Sequence, residues 1–79
     1  MQYDITISAI ELDHDHYAVI IRDALTEQQL LKSPPLDAAQ CARLLDRAVC
    51  SAKERGHKPL VRVCQRLAAE ARSSLARLN

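Results

Sequence analysis

A chain of 79 residues with two tyrosines, one glycine and neither phenylalanine nor tryptophan describes one small domain, residues 1–79, with an aliphatic core. Such a chain hides only about 60–65% of the surface it exposes when unfolded, so its stability margin is narrow and a homodimer is expected. Net charge is +1, no apolar run is long enough to cross a bilayer, and Met1-Gln2-Tyr3-Asp4 lacks the basic and apolar segments of an export signal. The expectation is a soluble cytoplasmic protein without membrane contact, and Cys41, Cys50 and Cys64, an odd count without paired spacing, are expected as free thiols.

Charge is unevenly spread along the chain. Residues 1–36 set Arg22 and Lys32 against Asp4, Glu11, Asp13, Asp15, Asp23 and Glu27, a balance of −4. Residues 37–79 carry the opposite excess, +5. This polarity predicts an acidic half and a basic half, able to steer toward a charged partner.

Residues 2–12 alternate as a strand does, with Tyr3, Ile5, Ile7 and Ala9 on one face and Asp4, Thr6 and Ser8 on the other. Asp13-His14-Asp15 reads as a polar hairpin turn. Residues 16–23 form a second strand rich in β-branched side chains. Residues 24–32 divide between two readings. Thr26 with Gln29 could open a short helix, whereas two strands alone are barely stable in water; a third strand near Gln28–Lys32 is favoured. After Ser33-Pro34-Pro35, Asp37 reads as an N-cap with Gln40 three residues on. A helix follows from Ala38 to Arg55, with Cys41, Leu45, Ala48, Val49 and Ala52 as its buried stripe. Gly56 stands where a helix C′ residue belongs. Pro59 then reads as the first turn of a second helix running to Leu78. Leu60, Val63, Cys64, Leu67, Ala71, Leu75 and Leu78 recur every three or four residues.

The expected fold is therefore α+β: an N-terminal antiparallel β-hairpin or three-stranded meander, then an antiparallel two-helix hairpin on one sheet face. Ile10 and Ile20 lie opposite Tyr3 and Tyr17, so an apolar patch there, or a free sheet edge, would serve as a dimer surface.

Catalytic chemistry finds little support. Phosphate cradles and nucleophile elbows need glycine where backbone approaches a ligand, and the one glycine is used at a helix end. Asp13-His14-Asp15-His16 suits zinc or nickel by residue type, but no third His or Cys lies at a ligand spacing, so a solvated turn is expected and no metal. Cys41 sits in a first helical turn, where the dipole could lower a thiol pKa, yet has no evident base. Cys50 and Cys64 could approach across the predicted helical turn, with His57 near them; two small apolar residues are the simpler expectation. No enzyme and no cofactor are expected.

Charged surfaces are the stronger candidates. Arg62, Arg66, Ser73 and Arg77 fall on one face of the predicted second helix, with Arg72 to the side. Arg43 and Arg47 are four apart on the first. Contacts with nucleic acid phosphates are one use of this face, although two tyrosines make a poor stacking platform. Docking on a protein complex is another. Asp13, Asp15 and Asp23 could alternatively mimic phosphates toward a basic partner. A solvated helix face with local pairs such as Arg66–Glu70 accounts for the same residues without a partner.

In size and layout the hairpin, aliphatic core, split charge and C-terminal helices resemble small phage-encoded inhibitors, including anti-CRISPR proteins. That class shares no diagnostic motif and lends no functional residue. Met1-x-Tyr3, Asp13-x-Asp15-x-Tyr17 and the strand HYAVIIRD before an amphipathic helix are similar to the partial ribonuclease-like fold of HicB-type antitoxins, whose Pro-Asp-Leu-Pro-Gly-Cys and Gly-x-Thr segments are absent here. Together these features lead to the expectation of a non-catalytic protein that occludes a macromolecular partner, with Arg43, Arg47, Arg62 and Arg66 as basic contacts and Asp13, Asp15 and Asp23 as acidic ones. The alternative is a small nucleic-acid-binding regulator or antitoxin using the basic helix face.

Overall fold

The computed structural model describes residues 3–13 and 15–70. Alternation of β-branched and short residues produces β1 (Ile5–Glu11) and β2 (Tyr17–Asp23), paired antiparallel from Ile5↔Asp23 to Glu11↔Tyr17. In that register Ile7 lies beside Ile21 and Ala9 beside Val19, which puts the apolar sets of both strands on one face. The hairpin turn is held by Asp13, whose Oδ1 accepts from the backbone N–H groups of Asp15 and His16, each at 3.1 Å. This is the local hydrogen bonding that makes aspartate a turn former.

Residues 24–32 resolve in favour of the strand. Asp23 Oδ1 accepts from Leu25 N at 2.8 Å and Thr26 N at 3.0 Å, and β3 (Gln29–Lys32) returns antiparallel to β2, with an irregularity between Ile21 and Arg22. The chain keeps following β2 beyond β3. Ser33 N donates to Val19 O, Val19 N donates to the buried Ser33 Oγ, both at 2.9 Å, and Leu36 forms a two-way bridge with Tyr17. Pro34 and Pro35, which lack an N–H, occupy the interval.

The α-helix α1 (Ala38–Glu54) begins as the sequence indicates: Gln40 N donates to Asp37 Oδ1 at 2.8 Å, and Asp37 N donates to Gln40 Oε1 at 3.1 Å. It ends in a Schellman arrangement, with Gly56 N donating to Lys53 O and His57 N to Ala52 O, and with Gly56 at φ +80°. Its stripe of Cys41, Leu45 and Ala52 packs with Ile7, Ala9, Tyr17 and Val19, while Ala48 and Val49 pack partly buried at the margin.

The second helix does not start at Pro59. Pro59–Val63 is a strand, β4, parallel to β1 from Ile5↔Pro59 to Ala9↔Val63. The two-helix hairpin is therefore replaced by a four-stranded mixed sheet in the order β3-β2-β1-β4, with α1 as the crossover between β3 and β4. The short run PLVRV satisfies a period of two as well as a helical period. The free edge of β1 decides between them: pairing satisfies its backbone groups, and a parallel partner needs a long crossover, which α1 supplies. A helix opens only at residues 65–70, and Leu67 from it enters the core. The rest of the predicted second helix lies outside the described residues. No described helix is long and apolar enough to cross a membrane.

Candidate functional site

Insertion of β4 beside β1 changes where the basic residues stand. Ser8 pairs on one side with Ile20 and on the other with Arg62, while Thr6 pairs with Arg22 and with Leu60. Side chains paired across a sheet share a face, so Arg22, Arg62, Thr6 and Ser8 project from the face opposite α1. Lys32, paired with Ile20, extends the row of Arg62. At the centre of this face Ile20 and Ala18 are buried, while the cations around them stand exposed. The face contains a shallow concavity of about 300 Å³ bordered by Tyr3, Thr6, Ser8, Arg22 and Arg62, with Asp23 and Glu27 on the side of the β2–β3 turn. Arg22, Lys32 and Arg62 are exposed and form no ion pair among the described residues.

The expected basic stripe is thus divided over three surfaces. Arg43 and Arg47 border a separate depression on α1, together with Leu36, Gln40, Leu44 and Asp46. Arg62 belongs to the sheet. Arg66 lies on the helix at residues 65–70 and is engaged within the molecule, through Nη1 to Glu11 Oε2 at 3.1 Å and Nε to Glu70 Oε1 at 3.8 Å. Ser73, Arg72 and Arg77 lie outside the described residues. The expected split into an acidic sheet and a basic helical pair gives way to interleaving, because β4 carries basic residues into the sheet and Arg66 reaches Glu11.

Among the acidic candidates, Asp13 and Asp23 are turn residues. His16 Nδ1 lies 2.9 Å from Asp13 Oδ1, and this contact with the Asp15 amide holds the Asp13 carboxyl below its usual value of 3.8. The amides of Thr26 and Leu25 do the same for Asp23. Asp15 is exposed at the hairpin tip. Asp4, which the sequence did not single out, joins β1 to the start of β4: its Oδ1 accepts from Lys58 N at 2.7 Å and its Oδ2 lies 2.9 Å from His57 Nδ1. These contacts, His57 first, lower its pKa below 3.8.

The cysteines occupy three different settings: Cys41 buried, Cys50 exposed and Cys64 half-buried against the core. Burial pushes the Cys41 thiol up, so the lowering that a helix N-terminus could supply does not prevail. With β4 between α1 and the next helix, the turn that would have faced Cys50 toward Cys64 does not exist, and His57 faces Asp4. Tyr17, 1% exposed, donates through its hydroxyl to Glu70 Oε1 at 3.3 Å, and burial with the Glu70 charge raises its pKa. Among the described residues no three His, Cys, Asp or Glu side chains converge as metal ligands would.

Exposed apolar groups mark both sheet edges. Leu30 and Leu31 of β3 are 57% and 49% exposed, and Val61 and Val63 of β4 are 41% each. Ile20, expected to contribute an outer apolar patch with Ile10, is already buried, and Ile10 is half-buried. Comparison with protein-family models, with curated proteins and with solved structures finds no match for this chain.

Proposed function

We propose that this chain is a non-catalytic binding protein that occludes a macromolecular partner, a nucleic-acid-handling protein complex. The supporting observation is β4. It is an edge strand with its outer backbone groups unpaired among the described strands, and its exposed Val61 and Val63 lie on one face. An edge of this kind accepts a strand from another protein: main-chain hydrogen bonds supply affinity and alternate side chains supply selectivity. At β3 the opposite edge is interrupted by Pro34 and Pro35 a short way on, and its exposed leucines suit a second copy of the chain. The working unit is thus a homodimer presenting two β4 edges.

Co-expression with the products of flanking genes, followed by size-exclusion chromatography, tests this reading. A complex of fixed stoichiometry is expected, and Val61→Lys with Val63→Lys is expected to abolish it without unfolding the chain, since both residues are at the surface. A complex that survives these substitutions would remove β4 as the docking edge. Sedimentation of the chain alone checks the homodimer; a concentration-independent species of 8.8 kDa would exclude it.

A further inference from the structure

We infer that the outer face of the sheet is a second binding surface, distinct from the β4 edge, and that its ligand is the sugar–phosphate backbone of a single-stranded nucleic acid. Arg22 and Arg62 stand diagonally across β1 on this face, above Thr6 and Ser8. Two strand spacings and one two-residue step place their Cα atoms about 12 Å apart, close enough for both guanidinium groups to engage phosphates passing over the Thr6–Ser8 pair. Thr6 and Ser8 add hydroxyl donors to that path, and Lys32 adds a third cation one strand beyond Ile20. Cations and short hydroxyl side chains are the groups that contact backbone phosphates, and these cations have no anionic partner among the described residues.

The acidic groups nearby define where the strand runs. Asp23 and Glu27 border the same concavity from the β2–β3 turn, and Asp23 is held ionised by the turn amides. Phosphates therefore cross β1 between Arg22 and Arg62 and reach Lys32 at the end of β3 remote from that turn. Asp4, at the start of β1, has its carboxylate occupied by His57 and Lys58 N. Arg22, Arg62 and Lys32 are all presented by strands of one sheet, whereas a duplex groove takes a helix or a two-stranded ribbon. A flexible strand can lie along the sheet, with the exposed ring of Tyr3 offering one stacking surface at the end of the path.

Fluorescence anisotropy with a labelled oligouridylate, its deoxy counterpart and a DNA duplex tests the inference. Both single strands are expected to bind, with log Kobs falling against log salt at a slope of about −2 for three phosphate contacts. Arg22→Gln with Arg62→Gln is expected to weaken binding about tenfold or more at about 50 mM salt and reduce the slope to about −0.7. Arg43→Gln with Arg47→Gln, on α1, is expected to change neither. If the glutamine pair unfolds the chain, as circular dichroism would reveal, two other variants decide the question: Arg22→Lys with Arg62→Lys keeps the slope, and Glu27→Gln tightens binding at low salt. The inference is overturned by no binding at low salt, by a flat salt response, or by equal loss from the α1 pair. Duplex bound as tightly as single strands, polyglutamate competing as well as oligouridylate, or Glu27→Gln leaving affinity unchanged would overturn it too.

Discussion

Glu27 and Gly56 are the residues with positive φ among those described, at 62° and 80°. No atom lies within 4 Å of where a Cβ on Gly56 would stand, so its requirement is purely conformational. Gly56→Ala is expected to destabilise the protein by about 1 kcal/mol, the left-handed penalty less the entropy gained in the unfolded chain. Glu27 bears the same penalty with a side chain in place, and Glu27→Gly is expected to raise the melting temperature by a few degrees. Calorimetry of the two variants checks both signs. Ser33 is the buried polar side chain of the described core; its Oγ accepts from Val19 N and donates to Pro34 O at 3.0 Å. Ser33→Ala strands the Val19 amide inside the protein, at an expected cost of about 1–3 kcal/mol in denaturant titration.

The three turn and clasp aspartates set the acid response at the same scale. Asp4, Asp13 and Asp23 all have pKa values below 3.8 in the folded chain, through His57, His16 and the Thr26 amide respectively. A lowered folded pKa means that the unfolded chain takes up protons first as pH falls. The stabilisation is therefore complete above the unfolded pKa and is lost as pH drops through the folded values below 3.8. Chemical denaturation followed through that acid range is expected to show stability rising with pH, with a shallower rise in Asp4→Asn.

At the scale of elements, α1 was legible because every local signal agreed: Asp37 and Gln40 at one end, Gly56 at the other, and an apolar stripe between them. The β1–β2 hairpin was legible for the same reason, with Asp13 forming the turn and β-branched alternation on either side. β4 was not. Its five residues fit a helical period when read together with Cys64 and Leu67, and the proline at its start suits a first helical turn as well as a strand end. The Asp4 clasp is the structural device that delivers Pro59 beside Ile5. Asp4→Ala is therefore expected to loosen β4 selectively, seen as faster amide exchange at residues 60–63 than in β2.

At the scale of the molecule, the polarity of charge along the chain did not become a polarity in space among the described residues. Parallel pairing of β4 with β1 moved Arg62 to the outer sheet face, left Arg43 and Arg47 on α1, and set Arg66 against Glu11. Ion pairing at the surface contributes little to stability, so Arg66→Ala is expected to shift the denaturation midpoint only slightly, while Ile7→Ala, at a fully buried core position, is expected to cost about 2–5 kcal/mol.

Local pattern and cap chemistry, written in contiguous residues, determined by themselves that this chain makes two strands, a favoured third, and a helix with defined ends over an aliphatic core. Tertiary structure alone decided that Pro59–Val63 is a strand, and with it which cations share a face. That decision rests on the unpaired edge of β1, more than fifty residues distant in the chain, whose backbone hydrogen bonds no reading of a local window can allocate.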